Sequence, residues 1–224
     1  MREEQKEQLR QKWEEWLEKI GEDLGDLLFS QDIFNEVCEI VKNNSNIQTP
    51  SAFFGWIRDN YVDSIIIRIG RLSDHDNRTI SLHRLIIEIS ENPDVITREY
   101  FVSQWRDDFL REMGTADRTF DMYANFGKQL VDPERLDTDI RRLDEGTSLV
   151  KDFRDQWVAH FDEKRKTDQM PTFGDLNKAL DIIDEVWCKY RLLLGRSAPD
   201  TRKPAMALDW EAPLRHRWIK SPEQ

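Results

Sequence analysis

The sequence predicts an all-α protein, and three observations carry that prediction. Apolar residues recur at steps of three and four over long segments, with hardly any two-residue alternation. Helix-start signals recur between them. Thr49-Pro50 and Asp132-Pro133 each offer an N-cap followed by a proline at the first helical position, and Ser30, Ser81, Thr97 and Thr172 are further N-caps. Finally, 34% of the 224 residues are charged, yet eight Trp and eleven Phe supply more aromatic bulk than a disordered segment holds.

Taken in order, the spacing predicts helices over 2–20, 31–43, 50–73, 82–90, 97–112, 134–161 and 173–194. The helix over 50–73 places Phe54, Ile57, Tyr61, Ile65, Ile69 and Leu72 on one face. That over 134–161 has Leu136, Ile140 and Leu143, then Val150, Phe153, Trp157 and Phe161, with Gly146 as a break. The last carries Phe173, Leu176, Leu180, Ile183, Trp187, Tyr190 and Leu194 and stops at Gly195. Residues 1–196 read as one helical domain, with acidic N-terminal helices over 1–45 and a core over 50–195. Residues 197–224 hold four of the eight prolines and read as an extended, irregular tail anchored by Trp210 and Trp218.

Charge is uneven along this frame. The formal net charge is −11, and residues 1–40 alone hold five basic and twelve acidic residues. That stretch reads as a solvated acidic arm, and the balance argues against general coating of nucleic acid. The N-terminus lacks the apolar core of a signal peptide, and no stretch approaches the ~20 apolar residues of a spanning helix. Cys38 and Cys188 cannot build a disulfide framework or a thiolate zinc site, which points to a reducing cytoplasm. Glycine loops for phosphate, H-E-x-x-H and G-x-S-x-G are all absent from the sequence. Asp74-His75-Asp76-Asn77 has the residue types of a metal loop but no evident distant partners, so it reads as a capped, solvated turn, with no metal or other cofactor implied.

One pairing of chemistry-bearing residues stands out, Arg154 with His160. On an ideal helix with Phe153 at zero degrees, Leu149, His160, Trp157, Val150 and Phe161 fall between roughly −40 and +80 degrees, and Arg154 near +100. A guanidinium and an imidazole are thereby turned toward an apolar stripe, where an unpartnered charge is costly. The plain reading is a hydrogen-bonded core histidine and an arginine that snorkels or pairs with Asp63, Asp74 or Asp155. The functional reading is a polar cleft or subunit interface. Arg68-His75 and Arg78-His83 have similar spacings, so context has to separate them, and it favours Arg154 with His160.

Together with Tyr61-Val62-Asp63-Ser64, Arg68-x-x-Arg71-Leu72-x-Asp74 and Ser81-Leu82, the segment Phe153-Arg154-Asp155-x-x-Val158-Ala159-His160 resembles the abortive-infection (AbiU-type) branch of the HEPN superfamily. The resemblance spans roughly residues 50–195. It implies an antiparallel helical bundle and metal-independent RNA cleavage at a site shared by two protomers. Carried onto this chain, His160 would be the general acid or base, Arg154 the phosphate ligand, and Asp155 the residue that orients one of them. DNA would be inert. Some relatives place Tyr two residues after the histidine as a target for modification; here that position is Asp162.

Arg68, Arg71 and Asp74 are candidates for substrate contact or for positioning the site. The plainer alternatives are a local Arg71–Asp74 helix pair and an ion pair between Arg68 and the helix that carries Arg154. The resemblance thus implies a cytoplasmic homodimeric ribonuclease of phage defence or a toxin system, acting on RNA and not on membranes, with an antitoxin or other defence protein as a possible partner. A non-catalytic scaffold of the same fold, or an antitoxin-like subunit, is the alternative that overall acidity favours.

Overall fold

The computed structural model describes residues 1–48, 51–105, 108–158, 169–195 and 209–215. Among these residues the regular structure is helical: α1 (Glu3–Asn43), α2 (Ala52–Leu72), α3 (Leu82–Glu91), α4 (Arg98–Ser103), α5 (Asp108–Glu112), α6 (Thr115–Phe120), α7 (Pro133–Phe153) and α8 (Phe173–Leu193). A π-turn (Arg154–Val158) extends α7, and Ala212–Arg215 form a 3-10 turn. The one β-type pairing among them is an isolated bridge, Thr97 to Leu130.

Side-chain partners fix the directions of the four long helices. Asp23 of α1 meets Arg71 of α2 while Phe34 meets Tyr61, so these two run antiparallel. Ser73 at the end of α2 meets Lys151, and Gly70 meets Arg154 three residues further along α7 and its extension, again antiparallel. Asp139 meets Lys189 while Arg142 meets Glu185, and Leu17 meets Trp187 while Gln31 meets Asn177, which orients α8 against both α7 and α1. The result is an up-down-up-down bundle of α1, α2, α7 and α8, with α3 packed against α1 and α7. Its core holds Trp13, Leu24, Ile65, Ile69, Leu143, Ile183, Trp187 and Tyr190, all 2% exposed or less.

Caps explain most helix starts. Ser81, Thr97, Asp132 and Thr172 each accept a backbone N–H from the first turn of the helix that follows, and Thr172 with Asp175 forms a reciprocal capping box. The start of α2 differs from expectation. Ser51 is its N-cap, accepting from Phe53 N at 3.2 Å, and Thr49-Pro50 lie outside the described residues.

The predicted break near residues 21–30 does not occur, and α1 runs through it for 41 residues. Ser30 does not cap; its hydroxyl donates to the Asp26 carbonyl one turn back, at 2.7 Å. The apolar stripe of Trp13, Leu17, Ile20, Leu24 and Leu27 crosses the expected gap and is buried in the core. So α1 is a wall of the bundle with one acidic outer face, not a solvated arm. Gly146 likewise does not break α7; it admits the Ile182 side chain of α8 against the backbone.

Residues 97–112 do not form one helix but two short ones, with α6 beyond them. A buried side chain organises this corner. Arg98 donates from Nε to the Lys128 carbonyl (2.8 Å), from Nη1 to the Asp117 carbonyl (2.6 Å) and from Nη2 to Asp121 (2.5 Å). The expected extended tail contains the turn at Ala212–Arg215, with Trp210 partly buried; Trp218 lies outside the described residues.

Candidate functional site at the α2–α7 contact

The regular winding of α7 ends at Phe153, and Arg154–Val158 continue as a π-turn. A π-turn takes more residues per revolution than an α-helix, so side chains beyond Arg154 no longer follow the 100-degree step assumed from the sequence. Phe153 remains buried, with Trp157 stacked at a ring separation of 6.0 Å and an interplanar angle of 10°. The expected helix over 134–161 therefore leaves regular α-helical winding at Arg154, the residue singled out from the sequence.

Arg154 lies across α2 at Gly70. A Cβ on Gly70 would stand 2.6 Å from Arg154 Cδ and 2.8 Å from Cζ, inside van der Waals contact, so only glycine leaves this path open. On its other side Asp155 takes Arg154 Nε at 2.7 Å and Nη2 at 2.7 Å on a single oxygen. Of the three acids the sequence offered to Arg154, Asp155 is the one that takes it. Asp155 is exposed and Arg154 is partly buried, so the guanidinium is positioned between a helix backbone and a solvent-facing carboxylate. His160 lies outside the described residues, as do its neighbours from 159 to 168.

One turn back, Lys151 donates to the Ser73 carbonyl at 3.1 Å and faces His75 Nε2 at 2.9 Å. His75 also meets Asp144 Oδ1 at 2.6 Å and stacks on His83 at 3.8 Å. Burial pushes the Lys151 ammonium down from its ordinary pKa; Asp144 opposes that shift and the Arg154 charge adds to it. Burial lowers His83 in the same way, with His75 adding to the effect. The contact between α2 and the end of α7 thus places Arg154 and Lys151 close enough to feel each other's charge, an arrangement an incoming anion would relieve.

The other predicted residues lie elsewhere. Arg71 is bound bidentately by Asp23 of α1, through Nε at 2.8 Å and through Nη2. It does not pair with Asp74, because α2 ends at Leu72 and the i,i+3 geometry ends with it. Asp74 instead closes the following turn, accepting from Asp76 N at 3.2 Å and, on its carbonyl, from Ser81 Oγ at 2.6 Å. Arg68 faces Asp23 (3.6 Å) and Asp26 (3.8 Å) of α1, not the helix that carries Arg154. Tyr61 stacks on Phe34 at 4.0 Å, and burial pushes its hydroxyl up to about 12.

Sequence reasoning missed Gly70, Lys151 and the convergence of His75, His83 and Asp144. The loop at 74–77 does have distant partners, one on α3 and one on α7. Their only signal in the sequence was the pair of histidines on either side of one turn.

An all-α bundle, with Arg154 just past the regular end of its late helix α7, is consistent with the HEPN-like fold that the sequence resembles. A family model, HEPN_AbiU2 (described as AbiU2), matches residues 10–212, and the chain belongs to that family. Searches of curated proteins and of solved structures each found no match. Among the described residues, no helix is long and apolar enough to cross a membrane.

Proposed function

We propose that this AbiU2-family chain is a metal-independent endoribonuclease of a defence or toxin system, acting as a homodimer with the surface around Arg154, where α7 meets α2, as its site. The observation that supports this reading most is the setting of Arg154. A guanidinium threaded past a glycine, fixed by the next residue and set beside a second cation suits a phosphate better than it suits a core ion pair.

In the proposed reaction the ribose 2′-oxygen attacks the adjacent phosphorus and the bond from phosphorus to the 5′-oxygen breaks. The 2′-hydroxyl proton goes to a base, and an acid gives a proton to the leaving 5′-oxygen. His160 fills one of these roles, and a dimer supplies two copies of it. Arg154 holds the non-bridging oxygens and stabilises the charge that builds on them, while Asp155 keeps the guanidinium in register. The products are a 2′,3′-cyclic phosphate and a free 5′-hydroxyl. DNA, without the 2′-hydroxyl, is not cut.

Purified protein incubated with mixed cellular RNA in EDTA tests this directly. Cleavage is expected from the native chain, with 2′,3′-cyclic phosphate ends. Arg154→Lys is expected to be strongly impaired, because an ammonium cannot bind two oxygens in a plane. Intact RNA with a folded native dimer would contradict the proposal and favour a non-catalytic scaffold.

A further inference from the structure

We propose that His75, His83 and Asp144 form a binding site for one divalent transition-metal ion of the Zn2+ type. This goes beyond the ribonuclease reading, whose chemistry does not pass through the ion. The three side chains come from the loop after α2, from the first turn of α3 and from the middle of α7, and their ligand atoms all lie within 4.8 Å of one another. Two imidazoles and a carboxylate form a donor set that suits zinc and its neighbours, and leave a fourth position open to water. Zinc bonds of about 2.0–2.1 Å in tetrahedral geometry put ligand atoms about 3.3 Å apart. His75 Nε2 and His83 Nε2 lie 2.6 and 3.7 Å from the two Asp144 oxygens, on either side of that value.

Two features of the cluster favour an ion. His83 is only 8% exposed and its Nε2 stands beyond hydrogen-bond distance from Asp144, so an ion at Nε2 would supply the partner that the carboxylate does not; its Nδ1, buried with no hydrogen-bond partner, is left as it is. A buried imidazole nitrogen without a partner is costly. His75 Nε2 faces both a carboxylate oxygen at 2.6 Å and the Lys151 ammonium at 2.9 Å. If that nitrogen carries a proton, it opposes the ammonium; if it does not, its lone pair opposes the carboxylate. A metal ion accepts lone pairs from the nitrogen and the carboxylate together and removes the conflict.

Lys151 is then the competitor. Its ammonium rests against His75, the Ser73 carbonyl and, at 3.8 Å, Asp144, so a positive charge already occupies one side of the cluster. His75 is half exposed and Asp144 one-third exposed, which gives an ion a path from solvent.

The test is a titration of the metal-stripped full chain with Zn2+ in competition with a chromophoric chelator, with Co2+ as a spectroscopic substitute. One ion per chain is expected, at micromolar concentration or tighter, with the visible absorption of four-coordinate Co2+. His75→Gln and Asp144→Asn are expected to weaken binding by at least about a hundredfold, since removing a direct ligand costs no less than disturbing its surroundings. His75 is exposed, so its variant is expected to fold, as circular dichroism of the metal-free protein would verify. Lys151→Met is expected to tighten binding. Failure of the native chain to take up Zn2+, or equal binding by both ligand variants, would overturn the site. Unchanged or weaker binding by Lys151→Met would overturn the competition. None of these readings depends on RNA cleavage.

Discussion

The two sides of α2 near its C-terminal end hold the same kinds of residue and do different things with them. Toward α1, Arg68 and Arg71 face Asp23 and Asp26, and Arg71 and Asp23 satisfy each other through two hydrogen bonds. Toward α7, Arg154, Lys151, His75 and His83 gather around Asp155 and Asp144, with one imidazole unbonded at Nδ1 and another facing a donor and an acceptor at once. The first side is a clamp held by charge pairing between α1 and α2, although Arg68 Nη1 is buried there without a hydrogen bond. The second side gathers its cations around two carboxylates and leaves His83 Nδ1 without a hydrogen bond. Arginines at similar helical spacings thus meet different surroundings, set by what the neighbouring helix presents.

That contrast can be broken or sharpened by substitution on each side. The largest effect is expected at His160. If it transfers the proton, His160→Ala will lower cleavage by about 10²–10⁴-fold with helical content and dimerisation unchanged; native-level cleavage would remove it from the mechanism. On the clamp side, Asp23→Ala is expected to cost about 1–3 kcal/mol, because two guanidiniums lose their shared carboxylate. Denaturant unfolding would read that loss, and cleavage at a temperature where the variant is folded should match the native chain. Arg71→Ala is expected to cost only about 0.5 kcal/mol, since its side chain is half exposed and the pair is screened by water. A cleavage defect in Arg71→Ala would mean that the clamp side touches RNA after all.

What was legible in the sequence was local. Ser81, Thr97, Asp132 and Thr172 cap the helices they were expected to cap, because a hydroxyl or carboxylate meets its backbone N–H within two or three residues. Most of the apolar stripes of α2, α7 and α8 were also legible, although Phe173 at the start of the α8 stripe is exposed and Phe161 lies outside the described residues. Arg154 could be singled out from its place at the edge of one such stripe. The π-turn could not, because its hydrogen bonding departs from the period that reveals a helix. Nor could the continuity of α1 through Ser30, where a good capping residue bonds backward instead. The close approach of Gly70 to Arg154 and that of Asp144 to His75 and His83 link residues about 60 to 85 positions apart. Nothing at either end of such a contact marks the other, so it appears only once the bundle has closed.

Gly70→Ala tests the role of the Arg154 setting most directly, because it adds one methyl group where that side chain passes. In an otherwise regular helix that change favours folding by up to about 1 kcal/mol, which offsets part of the cost of displacing a flexible side chain. Measured together, thermal unfolding should stay close to native while RNA cleavage falls by about 10²–10³-fold, the usual loss when a positioned electrostatic donor is removed. A folded Gly70→Ala variant that cleaves RNA at the native rate would contradict the central claim, since Arg154 would then need no fixed place across α2.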